Sequence, residues 1–297
     1  MFSDKNIFNF IQKSIEKNFD IVVTSVISTH GSTYSKAGNL CVYNSNNETI
    51  GILGSAFLHR KINELSLKTL KTKQLDIFES IPKDKLSGHG TSRYLICPFF
   101  YEDNYGALKK CFDNFNKSLV RNINDYNDYK FIDDNTDIKL ENTQFYQKIK
   151  RPFSLLIFGA ANHVLSLIDM ANLLGWNTTI IDVNIDEKFI CNADNTINLK
   201  NIDEVFNIDM KSYDASVILS HNPKTDYVYL EALLNSNINY IGMMGNKKNM
   251  LNIKKRFNLE DSDRFFAPVG LDIGSNTDQS IALSICSQIE SKKNGKI

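Results

Sequence analysis

The strongest constraint on the fold is a regular alternation of apolar runs and helix-like segments in the second half of the sequence. Four short apolar runs recur there, namely SLLIFG (154–159), TTIID (178–182), ASVILS (215–220) and YIGMMG (240–245). Strands that are apolar along their whole length are typical of a parallel sheet that is covered by helices on both faces. The pattern therefore predicts a Rossmann-like parallel-sheet domain over residues 151–297.

The first apolar run ends at a glycine, which opens a loop before the next predicted helix. In nucleotide-binding folds such a glycine permits a tight turn, the helix N-terminus attracts a pyrophosphate, and an acid after the second strand binds a ribose hydroxyl. Gly159 and Asp182 occupy the glycine and acid positions, whereas Ala161 and Val164 replace the other two glycines of the usual motif. We therefore expect weak nucleotide binding, with a hydroxyl selected by Asp182. The residues expected to hold phosphate are Gly159, Ala160, Ala161 and Asn162.

Two later strand ends, SHNPKTD (220–226) and GMMGNKK (242–248), carry polar residues and glycines. Ligands of open α/β sheets bind beyond the carboxyl ends of the strands, so these segments predict one rim with the first loop. The residues expected to line this rim are Ser220, His221, Gly242 and Gly245. His221 and Asp226 are also candidates for a catalytic acid and base. The alternative is a purely structural role, in which His221 stabilises its own loop and the two glycines relieve crowding within the sheet.

The first half of the chain has a different texture. Apolar residues at helical spacing predict a helix over residues 4–17, and IVVTSVIST, VYNSNNETIGILG and SRYLICPFF are typical of strands. These elements predict an N-terminal α+β domain over residues 1–120. Residues 121–150 are rich in Asn and Asp and lack a clear period, so we expect a polar connector there.

The charge balance and the cysteines restrict the possible partners. Lys and Arg together number 34, as do Asp and Glu, so no net field attracts nucleic acid or an anionic membrane. No segment approaches the roughly 18 apolar residues of a membrane span. The five scattered cysteines form no CxxC pair, which favours reduced thiols over a disulfide framework. We therefore expect a cytoplasmic protein.

Four segments together resemble the XdhC/CoxI family, whose members are accessory proteins of xanthine dehydrogenase and related molybdenum hydroxylases. They are PVGLDIGSNTDQSIALSICSQI (268–289), FGAANHVLSLIDMANLLGWNTTIID (158–182), LSHNPKTDYVYLEALLNSNINYIGMMGNKKNML (219–251) and GSTYSKAGNL (31–40). The resemblance implies a chaperone that binds molybdenum cofactor, or a related pterin or nucleotide, and delivers it to a hydroxylase client. It also implies a homodimer, and a cofactor-binding role for Gly31, Ser32 and Thr33.

Two departures from the family pattern bear on that function. The family's Gly-Gly-Cys stretch is replaced by Ser55, Ala56 and Phe57, and its Gly-Cys-Gly-Gly motif reads Gly88, His89, Gly90, Thr91 here. Both motif cysteines are therefore absent, although a thiolate is the natural soft ligand for molybdenum and a carrier for sulfur. We expect neither tight retention of molybdenum nor support of cofactor sulfuration.

Three histidines at turns of the N-terminal domain are weak candidates for metal ligands, but no pair has ligand-like spacing, so we expect each to serve its own loop and no metal site. They are His30, His59 and His89. Zn, Ni and Fe are the metals that such imidazoles would suit.

Two further functions compete with the chaperone hypothesis, and the sequence leaves open whether the protein is an enzyme. The Rossmann rim suits an NAD(P)- or nucleotide-dependent oxidoreductase with His221 as general acid or base. A degenerate relative that binds only a partner protein is the third possibility, and it predicts that the rim binds no small molecule.

Overall fold

A computed structural model describes residues 1–82, 90–133, 136, 138–190 and 192–297. The chain divides into two compact units, Met1–Arg151 and Pro152–Ile297. Within the described residues, no helix is both long and apolar enough to cross a membrane.

The N-terminal unit begins with helix α1 and continues into an antiparallel sheet. The helices of this unit are α1 (Lys5–Glu16), α2 (Ala56–Thr72) and α3 (Gly106–Lys110). The strands of this sheet are β1 (Ile21–His30), β2 (Leu40–Asn44), β3 (Thr49–Ile50), β4 (Asp76–Ser80) and β5 (Thr91–Phe99). They are arranged in the order β3-β2-β1-β5-β4, so the long and almost fully buried β1 lies at the centre.

A second antiparallel sheet follows where a polar connector was expected. Its strands are β6 (Ser118–Asn122), β7 (Tyr129–Ile132), β8 (Ile138–Glu141) and β9 (Gln144–Lys148), in the order β7-β6-β9-β8. Residues 121–150 thus belong to the N-terminal unit, and the described parts of this segment are largely strands and their turns. The reason is packing, because Leu119 and Phe145 are fully buried in the same core as Val23 and Leu95 of the first sheet.

The C-terminal unit is built on a parallel sheet. Its strands are β10 (Ser154–Phe158), β11 (Asn177–Val183), β12 (Asn195–Leu199), β13 (Ala215–Ile218), β14 (Tyr240–Met243) and β15 (Phe265–Phe266). Its helices are α4 (Asn162–Leu173), α5 (Pro223–Leu234), α6 (Lys247–Phe257) and α7 (Asp278–Lys293). The strand order is β12-β11-β10-β13-β14-β15, and each neighbouring pair is parallel.

This strand order is that of a doubly wound Rossmann-like sheet, so the predicted fold class is confirmed: a mixed α/β chain with antiparallel sheets first and a parallel sheet in the C-terminal unit. The chain runs outward from β10 to β12 and then returns to β13 on the other side of β10. The connections therefore reverse direction between β10 and β13. Loops that leave these two strands part at that point, which is where open α/β sheets bind their ligands.

The helix after the first loop packs closely despite the loss of the third motif glycine. Val164 is fully buried and joins Leu155, Ile157 and Ile168 in the core beneath α4. Valine thus fills the helix–strand contact with apolar volume where the usual motif has a glycine, and α4 does not need a glycine to dock on this sheet.

Candidate ligand-binding site

The position after β10 requires a glycine, Gly159, because a neighbouring loop lies close to it. Its φ of +108° lies in the region that L side chains rarely adopt. A Cβ atom built on it would lie 2.7 Å from both the Cα and the backbone nitrogen of Ser220, in the segment that follows β13. The close approach of two strand-end loops therefore explains this glycine without any ligand.

Asp182 binds the glycine loop from the end of β11. One carboxylate oxygen accepts a hydrogen bond from the Ala160 N–H at 2.9 Å. The other accepts from the Val183 N–H at 2.8 Å and from the Tyr229 hydroxyl at 2.9 Å. A carboxylate offers about four acceptor positions, so these three bonds leave about one for a ligand hydroxyl. The amide of Ala160 is likewise engaged by Asp182 and is not directed at a phosphate.

The start of α4 carries the other two residues of the predicted phosphate loop. Ala161 is the N-cap residue and Asn162 is the first helical residue, with an exposed side chain. The alanine side chain has no acceptor for the first N–H groups, which have no partner within a helix. An anion could therefore be accepted by the first turn of α4 rather than by Gly159 and Ala160.

His163, which was not among the predicted site residues, lies beside His221 at this edge of the sheet. The ring centroids are 4.5 Å apart and the ring planes meet at 71°. The Nε2 atom of His163 is 3.0 Å from the carbonyl oxygen of Leu219. Burial lowers the pKa of His163, and the electrostatic effect of His221 lowers it further. His163 comes directly after the predicted phosphate loop, so its position in the first turn of α4 was the sequence feature that could have identified it.

The segment after β13 is held by its own polar side chains. His221 adopts a left-handed conformation with φ of +54°, and Asn222 caps α5 by accepting the Lys224 N–H at 3.1 Å. Ser220 donates a short hydrogen bond to a carboxylate oxygen of Asp226. Burial raises the pKa of Asp226, although the bond from Ser220 and the charge of His221 oppose this effect. His221 and Asp226 are thereby fixed on one rim.

A surface depression of about 560 Å³ lies at the carboxyl ends of β13 and β14. It contains three of the predicted rim and acid–base residues, His221, Asp226 and Gly245. The other residues lining it are Pro223, Tyr227, Met243, Met244, Asn246, Asn249, Met250, Asn252 and Ile253. The lining thus combines amide side chains with an aromatic and thioether surface, and the asparagines of α6 were not among the residues predicted at the rim.

The two rim glycines differ in what they contact. Gly242 is buried within β14, and a Cβ there would overlap the side chain of Val269, so this glycine serves packing inside the unit. A Cβ at Gly245 would meet only the flexible end of Met250. Gly245 therefore lines the depression, whereas Gly242 lies behind it.

In the N-terminal unit, the Gly-Ser-Thr segment is an ordered surface loop. Gly31 has φ of +74° and lies against Gly90, whose N–H donates to the Ser32 carbonyl. The Thr33 hydroxyl donates to the Ser35 carbonyl at 2.8 Å. Gly31 and Ser32 are exposed and Thr33 is half-buried, so all three are available to a ligand.

The candidate metal-ligating histidines of that unit occupy separate settings. His59 accepts a hydrogen bond from the Leu53 N–H at 2.9 Å through Nε2, which ties its ring to the preceding loop. His30 ends β1 with an exposed side chain, and His89 lies outside the described residues. Among the residues that the structure describes, no three His, Cys, Asp or Glu side chains form a cluster that could hold a metal ion.

The cysteines within the described residues are free thiols in apolar surroundings. Cys41, Cys97, Cys111 and Cys286 are all buried, and Cys191 lies outside the described residues. Burial raises the pKa of Cys97 to about 11 and that of the other three to about 12. At neutral pH these four thiols are protonated, so none offers a thiolate to a metal or to sulfur.

Comparison with known proteins identifies similar chains. The family model of the XdhC Rossmann domain matches residues 155–289. A probable xanthine dehydrogenase subunit from Bacillus subtilis (strain 168) is 22% identical over 324 aligned positions, which cover 96% of this chain and 96% of that protein. The crystal structure of a xanthine dehydrogenase from Bacillus halodurans matches with a TM-score of 0.82 and 20% identity, covering 100% of this chain and 97% of that chain. This structural match shows a shared fold.

Proposed function

We propose that this protein is an accessory protein of a xanthine dehydrogenase-like molybdenum hydroxylase, because residues 155–289 match the family model of the XdhC Rossmann domain. In this role it binds molybdenum cofactor or a related pterin or nucleotide and passes it to the client enzyme. The matched residues include three of the four segments that carry the resemblance, 158–182, 219–251 and 268–289. The names of the two similar Bacillus proteins support a client of the xanthine dehydrogenase kind.

The depression at the ends of β13 and β14 is the observation that carries the proposal. Its volume of about 560 Å³ lies within the range of about 300–1,000 Å³ typical of small-molecule sites. Asn246, Asn249 and Asn252 can pair with the amide-like edge of a pterin or purine, because asparagine offers both donors and an acceptor. Tyr227 and Met250 provide an apolar surface for the flat face of the ring.

The donor set fits the organic part of the cofactor better than its metal. When bound in a client enzyme, molybdenum cofactor supplies the redox-active metal, whereas the residues here bind and orient the organic group. A phosphate group suits the first turn of α4, where Asn162 is exposed. The buried thiols, with pKa values raised to about 11 or 12, provide no sulfur carrier. The proposal is therefore binding and delivery, without a sulfur-transfer step on these four cysteines.

The experiment that tests this function is a calorimetric titration of the purified protein with a pterin and, separately, with a mononucleotide. His221→Ala should weaken binding by about 1–2 kcal/mol, as expected for the loss of one hydrogen bond to a polar or charged partner. Asn235→Ala, in a separate depression of about 290 Å³, is the matched control and should bind as the parent protein does. Intact affinity in His221→Ala with a clearly lower melting temperature would assign His221 a structural role instead.

A nicotinamide-dependent oxidoreductase is the second candidate, and the strand order of the C-terminal unit is the observation that favours it. His221 and Asp226 would then be the acid and base at the rim. The engagement of Asp182 by Ala160 and Tyr229 weakens this alternative, since the ribose-binding acid is largely occupied. Binding of NAD(P)H, followed by a decrease in its absorbance with a supplied hydride acceptor, would favour it over the accessory function.

The cellular setting and assembly form part of the same proposal. The free cysteines suit a reducing compartment such as the cytoplasm. A homodimer follows from the family resemblance alone, and light scattering of the purified protein measures it directly. A protein that elutes as a monomer at all accessible concentrations would contradict this part of the proposal.

A further inference from the structure

We propose that His163 and His221 together form a ligand pair for a divalent transition-metal ion of the Zn²⁺ type. The two imidazole rings are 4.5 Å apart between centroids and belong to different loops, which follow the neighbouring strands β10 and β13. Imidazole nitrogen is a common ligand for Zn²⁺, Co²⁺ and Ni²⁺. The site goes beyond the proposed cofactor function, because it requires neither a pterin nor a nucleotide.

The hydrogen bond of His163 sets up its other ring nitrogen as a ligand. A carbonyl oxygen only accepts, so the Nε2 atom of His163 must donate its proton to Leu219, 3.0 Å away. In the neutral ring this leaves the lone pair on Nδ1. Histidines that bind metals commonly donate their second ring N–H to a backbone carbonyl or carboxylate, which fixes the tautomer and the ring orientation. His163 therefore has the hydrogen bond that a metal ligand needs.

The charges around the pair favour a cation. The carboxylate of Asp278 acts electrostatically on His163, and that of Asp226 interacts with His221. Asp182 adds its own charge near Asp226. These carboxylates belong to different elements, and their negative charge favours a divalent cation at the pair.

The backbone holds both rings in place before any ion arrives. His163 lies in the first turn of α4, which is packed on the sheet through the fully buried Val164. His221 is fixed in a left-handed conformation with φ of +54°, a strained state that tends to occur at functional sites. Strain of this kind is explained if His221 must point its ring toward His163.

Two protein ligands define an open site. Within the part of the chain that the structure describes, no third His, Cys, Asp or Glu completes a cluster, so water or a bound molecule must supply the remaining ligands. Open coordination positions are the mark of metal sites that bind a further molecule, whereas structural zinc sites are closed by four protein ligands. We expect weaker binding than in such four-ligand sites, and an ion that can be removed by a chelator.

The test uses the full chain without an affinity tag, first treated with a chelator and then titrated with Co²⁺ alone. Co²⁺ gives visible absorption bands that report imidazole coordination, and calorimetry with Zn²⁺ measures the stoichiometry. The parent protein should bind one equivalent of either metal. His163→Ala and His221→Ala should each lose saturable binding, while His59→Ala and His30→Ala should bind as the parent does.

A ligand exchange keeps the test independent of folding defects. His221→Cys should retain Co²⁺ and add a thiolate-to-metal charge-transfer band, which only direct coordination produces. The proposal is overturned if the parent protein shows no saturable binding, or if both alanine variants at 163 and 221 bind with unchanged affinity. Metal binding without pterin binding would support this site and contradict the accessory function. Pterin binding without metal binding would support the accessory function and overturn the metal site.

Discussion

Tyr229 of α5 donates its hydroxyl to Asp182 at the end of β11 over 2.9 Å, and the same carboxylate accepts the Ala160 N–H. The acid that binds a ribose hydroxyl in many Rossmann folds therefore joins the glycine loop to a helix on the face of the sheet. Tyr229 is fully buried, and its ring packs in a tilted contact against Phe158 with the ring centroids 4.7 Å apart. The loop geometry thus depends on an internal hydrogen-bond network.

Tyr229→Phe should lower the free energy of unfolding by about 1.5–3 kcal/mol, the usual contribution of a hydrogen bond to a charged group. The substitution removes only the hydroxyl and keeps the aromatic packing. Urea denaturation of the parent and the variant measures the difference. Tyr227→Phe is the matched control, because the ring of Tyr227 packs against Arg256 at 4.5 Å and the ring remains in the variant. Equal stability losses in the two variants would show that the hydroxyl of Tyr229 contributes nothing specific.

Gly159→Ala should destabilise the protein more than Gly274→Ala. Both glycines have positive φ, +108° and +74°, so both alanines incur backbone strain of about 1–2 kcal/mol. Only at Gly159 would the added Cβ also meet the backbone of Ser220, which costs about 1–3 kcal/mol more as overpacking. Nothing lies within 4 Å of a Cβ at Gly274, so its thermal melting curve isolates the backbone strain. Loss of nucleotide binding on substitution of Gly159 would consequently report a disturbed loop, and similar melting temperatures for both variants would contradict the close approach.

The sequence predicted the C-terminal unit well because its strands are doubly covered and therefore apolar throughout. The runs at β10, β11, β13 and β14 stand out from the polar loops that flank them, and the glycine and acid positions follow from that framework. The extent of the N-terminal unit was harder to predict, since it reaches Arg151 rather than residue 120. In the sheet of β6 to β9, β8 is largely exposed and Asn and Asp fill the turns, so its short strands lack a continuous apolar pattern. Their buried positions become evident only through contact with the other sheet.

In the site too, some residues could be predicted from the local sequence, whereas others are identified only by contacts between distant residues. His221 and Gly245 followed directly from strand ends and do line the depression. Gly242 was expected at the rim, with relief of crowding in the sheet as the alternative, and the alternative describes it, because a Cβ there would meet Val269, 27 positions further along the chain. His163 was overlooked for a similar reason, since its importance arises from contact with His221, 58 positions away. Sequence periodicity locates the rim, whereas side-chain partners across the rim require the three-dimensional structure.

The described thiols should be unreactive in the folded protein. In a Cys191→Ser variant, the thiols left are Cys41, Cys97, Cys111 and Cys286, all buried and with pKa values raised to about 11 or 12. An aromatic disulfide reagent at pH 8 should therefore react slowly with the native variant and rapidly with all four thiols after denaturation. Fast reaction of any of them before unfolding would place a reactive thiolate in the native protein.

Molybdenum should not be retained tightly after expression in a host that makes the cofactor. The motif cysteines are replaced at Phe57 and His89, and the buried thiols cannot substitute for them as soft ligands. Elemental analysis of the purified protein, beside a family member that keeps both cysteines, measures the retained metal. Near-stoichiometric molybdenum in this protein would refute the expectation, whatever the outcome for organic ligands.

Asp226 should make stability depend on pH in a defined direction. Burial raises the pKa of this carboxyl above its usual value of about 3.9, so the folded state holds the proton more tightly than the unfolded chain. The contribution of Asp226 to stability is therefore complete at a pH below the usual pKa, and it is lost as the pH rises through the pKa of the folded state.

Asp226→Asn removes this titration, while its amide oxygen can still accept the hydrogen bond from Ser220. Melting temperatures of both proteins across the acidic range to neutral pH should therefore shift in favour of the variant as the pH rises, and then level off. Asp272→Asn, at an exposed position, is the control for the loss of one carboxyl group. A difference that stays constant with pH, or moves in favour of the parent protein, would show that the fold does not raise the pKa of the Asp226 carboxyl.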